Sequence, residues 1–200
     1  MWDYQQIAGV ATAGILALVA VYLGIRNLRK YYSKNNYARL INKISKYSMR
    51  NVVIPDAVEG TSVIDWVVLT YQGILILKMK NYRGMIFASD SIRQWTQVIA
   101  RRSFTFDNPL QQLDIDMVTI RTLAPGINLK GYVVFGDDSH FPKGRPKNVT
   151  TVSEIKQNLH LFKQGEISEE LLAQWNKLVP LLKQEPEVQD HYAPASRAGN

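Results

Sequence analysis

One carboxylate and two lysines lie in two adjacent apolar segments of this 200-residue chain. Asp65 lies within Val63–Leu69, where β-branched and aromatic residues predict a strand. Gly73 suits the turn that follows, since glycine tolerates positive φ. Ile74–Lys80 is a second apolar run that carries Lys78 near its end. The two segments therefore predict a β-hairpin with three charged side chains.

These three side chains could hold a cation or an anion. An ionised carboxylate such as Asp65 is costly to bury in an apolar strand unless it binds a metal, a hydrogen-bond donor or a cation. Lys78 and Lys80 are two residues apart, so their side chains project from the same face of the strand. Like charges so placed repel unless an anion lies between them. An internal ion pair with Asp65 and a bound phosphate both satisfy this requirement.

The hairpin and the residues after it resemble the NERD (nuclease-related) domain of the restriction-endonuclease-like superfamily. The landmarks follow the family's order over roughly residues 36–140: Ile64-Asp65, Gly73-Ile74, Lys80-Asn81, Gly84, Trp95, Asn108-Pro109 and Gln112. The resemblance implies an α/β fold with a restriction-endonuclease-like mixed sheet flanked by helices. It also implies Mg²⁺-dependent phosphodiester hydrolysis, with Asp65 as a metal ligand, Lys80 as the catalytic lysine and Gln112 near the active centre.

The chain departs from the family pattern at two places. The second strand should end Glu-x-Lys, but Lys78 stands at the glutamate position, and an ammonium group cannot ligate Mg²⁺. Family members usually carry an acid in the helix before the first strand, whereas no Asp or Glu lies between Asp3 and Asp56. Asp56 and Glu59 fall in a predicted loop. We therefore expect a domain without hydrolytic activity and without a cofactor; Mg²⁺ is expected only if a rearranged acid set retains activity.

A basic stretch covers the end of the hairpin and the residues after it. Residues 78–102 contain six basic side chains and one acid, and Tyr82 and Trp95 lie among them. Basic residues interspersed with aromatics are one footprint of DNA or RNA binding. The alternative is a solvated hairpin with Trp95 packed in the core. The predicted phosphate contacts are Lys78, Lys80, Arg83, Arg101 and Arg102.

The N-terminal region predicts a membrane anchor. Tyr4–Ile25 is an uncharged run of 22 residues, which is long enough to cross the hydrocarbon core as a helix. Eight basic residues and no acid follow within residues 26–50, and basic residues remain cytoplasmic. The N-terminus should lie outside and the domain in the cytoplasm, at the inner membrane if the chain is bacterial. Gly9, Ala13 and Ala17 have the spacing of associating membrane helices, so self-association is also expected.

The basic segment 26–50 accounts for the net charge of +7. Without its eight basic residues, the chain has 16 basic and 17 acidic residues. Contact with anionic lipid therefore explains the charge as well as nucleic acid does. The chain has no cysteine, which excludes disulfides, thiol nucleophiles and cysteine zinc sites.

The remaining elements follow from apolar spacing and helix caps. Pro109–Ala124 predicts a helix and Leu129–Phe135 a strand, and further helices are predicted over Asn36–Met49, 152–162 and 168–179. The resulting division is a transmembrane anchor with a basic juxtamembrane segment (1–35), a NERD-like domain (36–150), C-terminal helices (151–185) and a disordered tail (186–200).

Three functions are compatible with these features. The favoured one is a membrane-anchored cytoplasmic protein whose degenerate nuclease-like domain binds nucleic acid or a protein partner without cleavage. The second is an active Mg²⁺-dependent nuclease with a rearranged acid set. The third is a structural subunit of an inner-membrane assembly.

Overall fold

The computed structural model describes residues 15–25, 37–55, 60–163, 165–184 and 196–197. The chain divides into two compact units, Met1–Leu40 and Ile41–Asn200. In the first unit, residues 15–25 form helix α1 with exposed side chains. Among the described residues, no helix is both long and apolar enough to cross a membrane. Residues 4–14 of the predicted anchor and 26–36 of the basic segment lie outside the described residues, so the anchor stays a prediction.

A second helix, α2, covers residues 37–44 and is shorter than the sequence predicted. The Ser45 hydroxyl accepts a hydrogen bond from the Tyr47 amide at 3.1 Å, in a turn that leads into strand β1 (Ser48–Pro55). The predicted helix was therefore wrong over 45–49. The alternation that buries Val52 and Ile54 was the signal for this strand.

The predicted hairpin is confirmed by strands β2 (Thr61–Thr70) and β3 (Gly73–Lys80), which pair antiparallel. Gly73 has a φ of 123°, and a Cβ atom there would collide with the Asn128 carbonyl, so the turn requires glycine. The six-stranded sheet around the hairpin has the order β10-β1-β2-β3-β7-β9. Its other strands are β7 (Leu129–Phe135), β9 (Val149–Thr151) and β10 (Lys183–Gln184).

β7 runs parallel to β3, and β9 runs parallel to β7, whereas β1 and β10 are antiparallel to their neighbours. The sheet is thus mixed, as predicted. Both of its faces are buried. One face carries the core that packs against helix α3 (Pro109–Leu123), and the other carries Trp66, Val68, Leu75, Leu77 and Val134, each less than 8% exposed. Burial on both faces explains why the hairpin sequence is continuously apolar rather than alternating.

A second sheet has the order β11-β6-β5-β4-β8. It consists of β4 (Gly84–Phe87), β5 (Gln94–Ile99), β6 (Arg102–Asp107), β8 (Ser139–His140) and β11 (Ser196–Arg197). β4, β5 and β6 form an antiparallel meander, and β8 pairs parallel with β4. β11 belongs to the tail that the sequence predicted as disordered; the rest of that tail lies outside the described residues.

Helix α3 begins at Asn108-Pro109, one of the family landmarks. The Asn108 side chain accepts from the Leu110 amide at 3.0 Å and donates to the carbonyls of Ser89, Asp90 and Ile92. It therefore caps the helix and also closes the loop between β4 and β5. The C-terminal helices are α4 (Val152–Gln157), α5 (His160–Lys163) and α6 (Glu169–Leu178), so the predicted helix over 152–162 is interrupted at residues 158–159.

Candidate functional site

The side chains of β2 change face at Asp65. Ile64 and Val67 both belong to the core cluster, although residues three apart in a regular strand point to opposite faces. Across the ladder from Asp65 lies Asn51, whose φ of 50° is in the left-handed region that asparagine tolerates. This local distortion places Asp65 where β2 turns from one facing to the other.

Asp65 also lies where β2 and β3 separate. Their backbone pairing extends from Thr70–Gly73 to Trp66–Leu77. Asp65 is the next residue of β2 after this pairing ends, and its carboxylate accepts a hydrogen bond from the Met79 amide at 2.8 Å. A side-chain oxygen thus replaces the backbone carbonyl that a regular ladder would supply, and Asp65 is half-buried.

Lys78 is buried beneath α3, with 5% of its surface exposed. Its Nζ donates to Asp116 Oδ2 at 2.6 Å, to the Val63 carbonyl at 3.2 Å and to Ser62 Oγ at 3.3 Å. Three acceptors match the three N–H donors of an ammonium group. Asp116 is fully buried, so this is an ion pair that water does not reach.

Gln112 holds the other oxygen of the same carboxylate. Its Nε2 donates to Asp116 Oδ1 at 3.1 Å and to Ser62 Oγ at 3.1 Å. Gln112 and Asp116 are one turn apart on α3, so their side chains lie on the same face of the helix. The structure therefore brings together three elements at one polar cluster, formed by Ser62, Lys78, Gln112 and Asp116.

This cluster corrects two expectations. The sequence offered Asp65 as the ion-pair partner of Lys78, whereas the structure pairs Lys78 with Asp116. The sequence also offered Lys78 as a phosphate contact, but its ammonium group is buried and fully bonded within the protein. Asp116 was missed, although it lies three residues after Leu113 and four before Ile120, on the buried stripe of α3. A carboxylate on such a stripe requires a partner.

Lys80 lies two residues further along β3 and is half-buried. Burial lowers the pKa of Lys80 from its ordinary value of 10.5, and the charge of Lys78 lowers it further, while Asp65 and Asp116 act in the opposite direction. Lys80 is therefore within electrostatic reach of the cluster and of Asp65. Of the three residues to which the resemblance assigns catalytic roles, Asp65 and Lys80 lie beside the cluster and Gln112 is part of it.

The Mg²⁺ that the resemblance implies does not fit these residues. The position of the expected glutamate holds an ammonium group, and the nearby acid on α3 is already bound to it. In the part of the chain that the structure describes, no group of three or more His, Asp or Glu side chains could hold a metal. Asp56 and Glu59, the possible substitutes, lie outside that part.

The predicted arginines lie on the second sheet. Arg83, Arg101 and Arg102 are exposed, the last two at the turn between β5 and β6. Trp95 is completely buried and stacks with Phe135, so it is a core residue. The predicted phosphate contacts therefore divide into buried Lys78, half-buried Lys80 and three arginines on a different surface.

Comparison with known proteins gives a family and one partial relative. The family model of the nuclease-related domain, NERD, matches residues 29–136, more than half of the chain. The chain is also 34% identical over 77 residues to an uncharacterized protein of Bacillus anthracis; these residues are 37% of this chain and 36% of the relative. The match thus spans about a third of the relative's length. No solved structure matches the chain.

Replacing one member of the Lys78–Asp116 pair should destabilise the fold more than replacing both. Lys78→Met and Asp116→Leu each leave an uncompensated buried charge, which typically costs about 3–5 kcal/mol. The double variant leaves neither charge and should be markedly more stable than either single variant. Urea unfolding of all four proteins gives the coupling energy.

Arg145–Glu154 is the matched control, because its side chains are about one-third exposed. A coupling energy below about 1 kcal/mol is expected there. A coupling energy for Lys78–Asp116 that is no larger than the control value would contradict the description of a buried pair.

Lys80 should make the free energy of unfolding depend on pH. Because its pKa is lower in the folded state, the unfolded chain binds more protons between the folded-state and unfolded-state pKa values, and stability rises with pH over that interval. Lys80→Met should remove this contribution, whereas Lys177→Met at an exposed position of α6 should not. Unfolding measured across the alkaline range tests this; equal pH slopes in both variants would show that Lys80 titrates normally.

Proposed function

Because this chain belongs to the nuclease-related domain (NERD) family, we propose that it binds nucleic acid through a nuclease-like domain that no longer cuts. The observation that carries the second half of this proposal is the 2.6 Å ion pair between Lys78 and Asp116. It lies where the family resemblance requires a metal ligand. One buried positive charge, fixed to the protein, stands in place of the carboxylate that would attract Mg²⁺.

The loss of cleavage follows from the chemistry of hydrolysis. A bound divalent cation activates water and stabilises the charge that develops on phosphate. Lys78 cannot activate water in this way, and its three hydrogen bonds leave no donor for a substrate oxygen. Its charge also repels any cation that approaches Asp65. Lys80 and the exposed arginines remain able to contact phosphate groups, which supports binding without cleavage.

The proposal includes attachment to a membrane. It is supported by the uncharged run Tyr4–Ile25 and by the eight basic residues within 26–50. Such a basic segment favours the cytoplasmic side and attracts anionic lipid headgroups. The nuclease-like domain would then bind nucleic acid close to the cytoplasmic face of the membrane.

One observation favours a second candidate, a nuclease with a rearranged acid set. The charges of Asp65 and Asp116 both act to raise the pKa of Lys80, against the lowering by burial and by Lys78. Two carboxylates and a lysine of lowered pKa therefore lie near one another. This candidate requires Lys78 to release Asp116. The free energy of metal binding would have to offset the free-energy cost of leaving the Lys78 ammonium group buried and without its partner.

Nucleic-acid binding and cleavage can be measured on the whole 200-residue chain in non-ionic detergent. We expect DNA and RNA oligonucleotides to bind in the presence of EDTA, with affinity falling as salt increases, and to remain intact with Mg²⁺ or Mn²⁺. Lys78→Glu places a carboxylate beside Asp116, so Mg²⁺ should raise the melting temperature of this variant but not of the unmodified protein. Lys177→Glu, an equal charge change at an exposed position, should not respond to Mg²⁺.

Two outcomes would contradict the proposal. Mg²⁺-dependent cleavage by the unmodified protein, abolished by Asp65→Ala, would establish the second candidate. Absence of binding to any nucleic acid at low salt would indicate that the domain serves as a docking subunit.

A further inference from the structure

Two basic segments that are far apart in sequence meet on the second sheet. The first contains Arg83, Arg101 and Arg102 and belongs to the β4–β6 meander. The second is the loop 141–147, which follows β8 and contains Lys143, Arg145 and Lys147. Parallel pairing of β4 with β8 joins them, through Gly84–Ser139 and Met85–His140. Lys143 Nζ lies 5.8 Å from the centre of the Phe87 ring, so the loop approaches the side chains of β4.

The face of this sheet that points away from the core has two well-defined rows of side chains. One row is Met85, Val98 and Ser103, and the next is Phe87, Thr96 and Thr105. The opposite face holds the buried side chains of Ile86, Trp95 and Phe106. Met85 is 44% exposed, and Phe87, Thr96 and Val98 are half-buried. We call these two rows the outer face.

The outer face combines an aromatic ring and apolar side chains with positive charge at its edges. Neither row contains an acid; the following row brings Asp107 opposite Gln94, at the end away from the β5–β6 turn. Stacking of bases on aromatic side chains, with backbone contacts from nearby cations, is how proteins bind single strands. A duplex has its bases already stacked and would offer mainly phosphates to such a surface.

The turn between β5 and β6 holds two non-glycine residues in a left-handed backbone conformation. Ala100 and Arg101 have φ values of 48° and 63°, the conformation of a type I′ hairpin turn, which strongly favours Asn-Gly. Ala and Arg are strained in this conformation. The Arg101 side chain is exposed, and among the described residues it makes no hydrogen bond or ion pair. Since the Arg101 guanidinium group has no hydrogen bond or ion pair within the described part of the fold, it is able to contact a ligand.

We propose that the outer face, with Phe87 as a stacking ring and Arg83, Arg101 and Lys143 as phosphate contacts, binds single-stranded nucleic acid. The inference rests on the proposed function and adds the surface and the strandedness of the ligand. It places the binding surface on the second sheet rather than at the buried Lys78–Asp116 cluster. Bases stack on the face while the backbone follows the basic edge near the β5–β6 turn.

The test uses the whole 200-residue chain in non-ionic detergent. The ligands are a fluorescein-labelled single strand of about 20 nucleotides, as DNA and as RNA, and the DNA duplex of the same sequence. Phe87→Ala and Arg101→Gly should each weaken single-strand binding about tenfold. Arg101→Gly should also lower the salt dependence by about 0.7 in the log–log slope. Arg121→Ala and Lys177→Ala, at exposed basic positions of α3 and α6, should change affinity less than about twofold.

Arg101→Gly separates a binding role from a structural one, because glycine relieves the strained turn. The variant should melt at a higher temperature than the unmodified protein while binding more weakly. Unchanged affinity in Phe87→Ala and Arg101→Gly, or a duplex bound as tightly as the single strand, would overturn the inference while leaving nucleic-acid binding established. Absence of binding by the unmodified protein would overturn both this inference and the proposed function.

Discussion

A lysine ammonium group enclosed between a sheet and a helix can be tolerated only if all of its donors are satisfied, and the surroundings of Lys78 meet this requirement. Asp116 comes from α3, while Ser62 and Val63 come from β2. Gln112 then bridges Asp116 to Ser62. Strands β2 and β3 and the helix are thereby tied together at one point. Desolvation offsets much of the Coulombic attraction of a buried ion pair. The main effect of the Lys78–Asp116 pair is therefore to fix the orientation of α3 on the hairpin.

The same bonds determine what chemistry the site can perform. A nuclease centre places negative side chains around a mobile cation, whereas here the cation is a side chain that cannot leave. Asp65 remains half-buried at the distortion opposite Asn51, bonded to the Met79 amide, and Lys80 remains with a lowered pKa. In the proposed function, these residues are parts of a nuclease site whose electrostatic centre is neutralised by the Lys78–Asp116 pair. In the proposed function, exposed groups contact the nucleic acid, and the second sheet carries exposed Arg83, Arg101 and Arg102.

The hairpin, α3 and β7 could be predicted because each is encoded by local signals: apolar runs, a glycine turn and a proline after a capping asparagine. The polar cluster could not, because it joins Ser62, Lys78 and Asp116 across intervals of 16 and 38 residues. The position of Asp116 on an apolar stripe indicated that it needed a partner, but not which one. The change of face at Asp65 depends on the backbone of Asn51 in another strand. The meeting of Lys143 with Phe87 depends on the pairing of β8 with β4, two short strands that carry little local signal.

The most direct test of replacement of the metal site by an ion pair is a calorimetric titration of Mn²⁺ into the unmodified 200-residue chain in detergent. If the Lys78–Asp116 pair replaces the metal, no saturable heat of binding is expected, and the unmodified protein and Asp65→Ala should give the same result. Binding of one Mn²⁺ per chain, lost in Asp65→Ala, would show that a metal occupies the site despite Lys78 and would contradict the account.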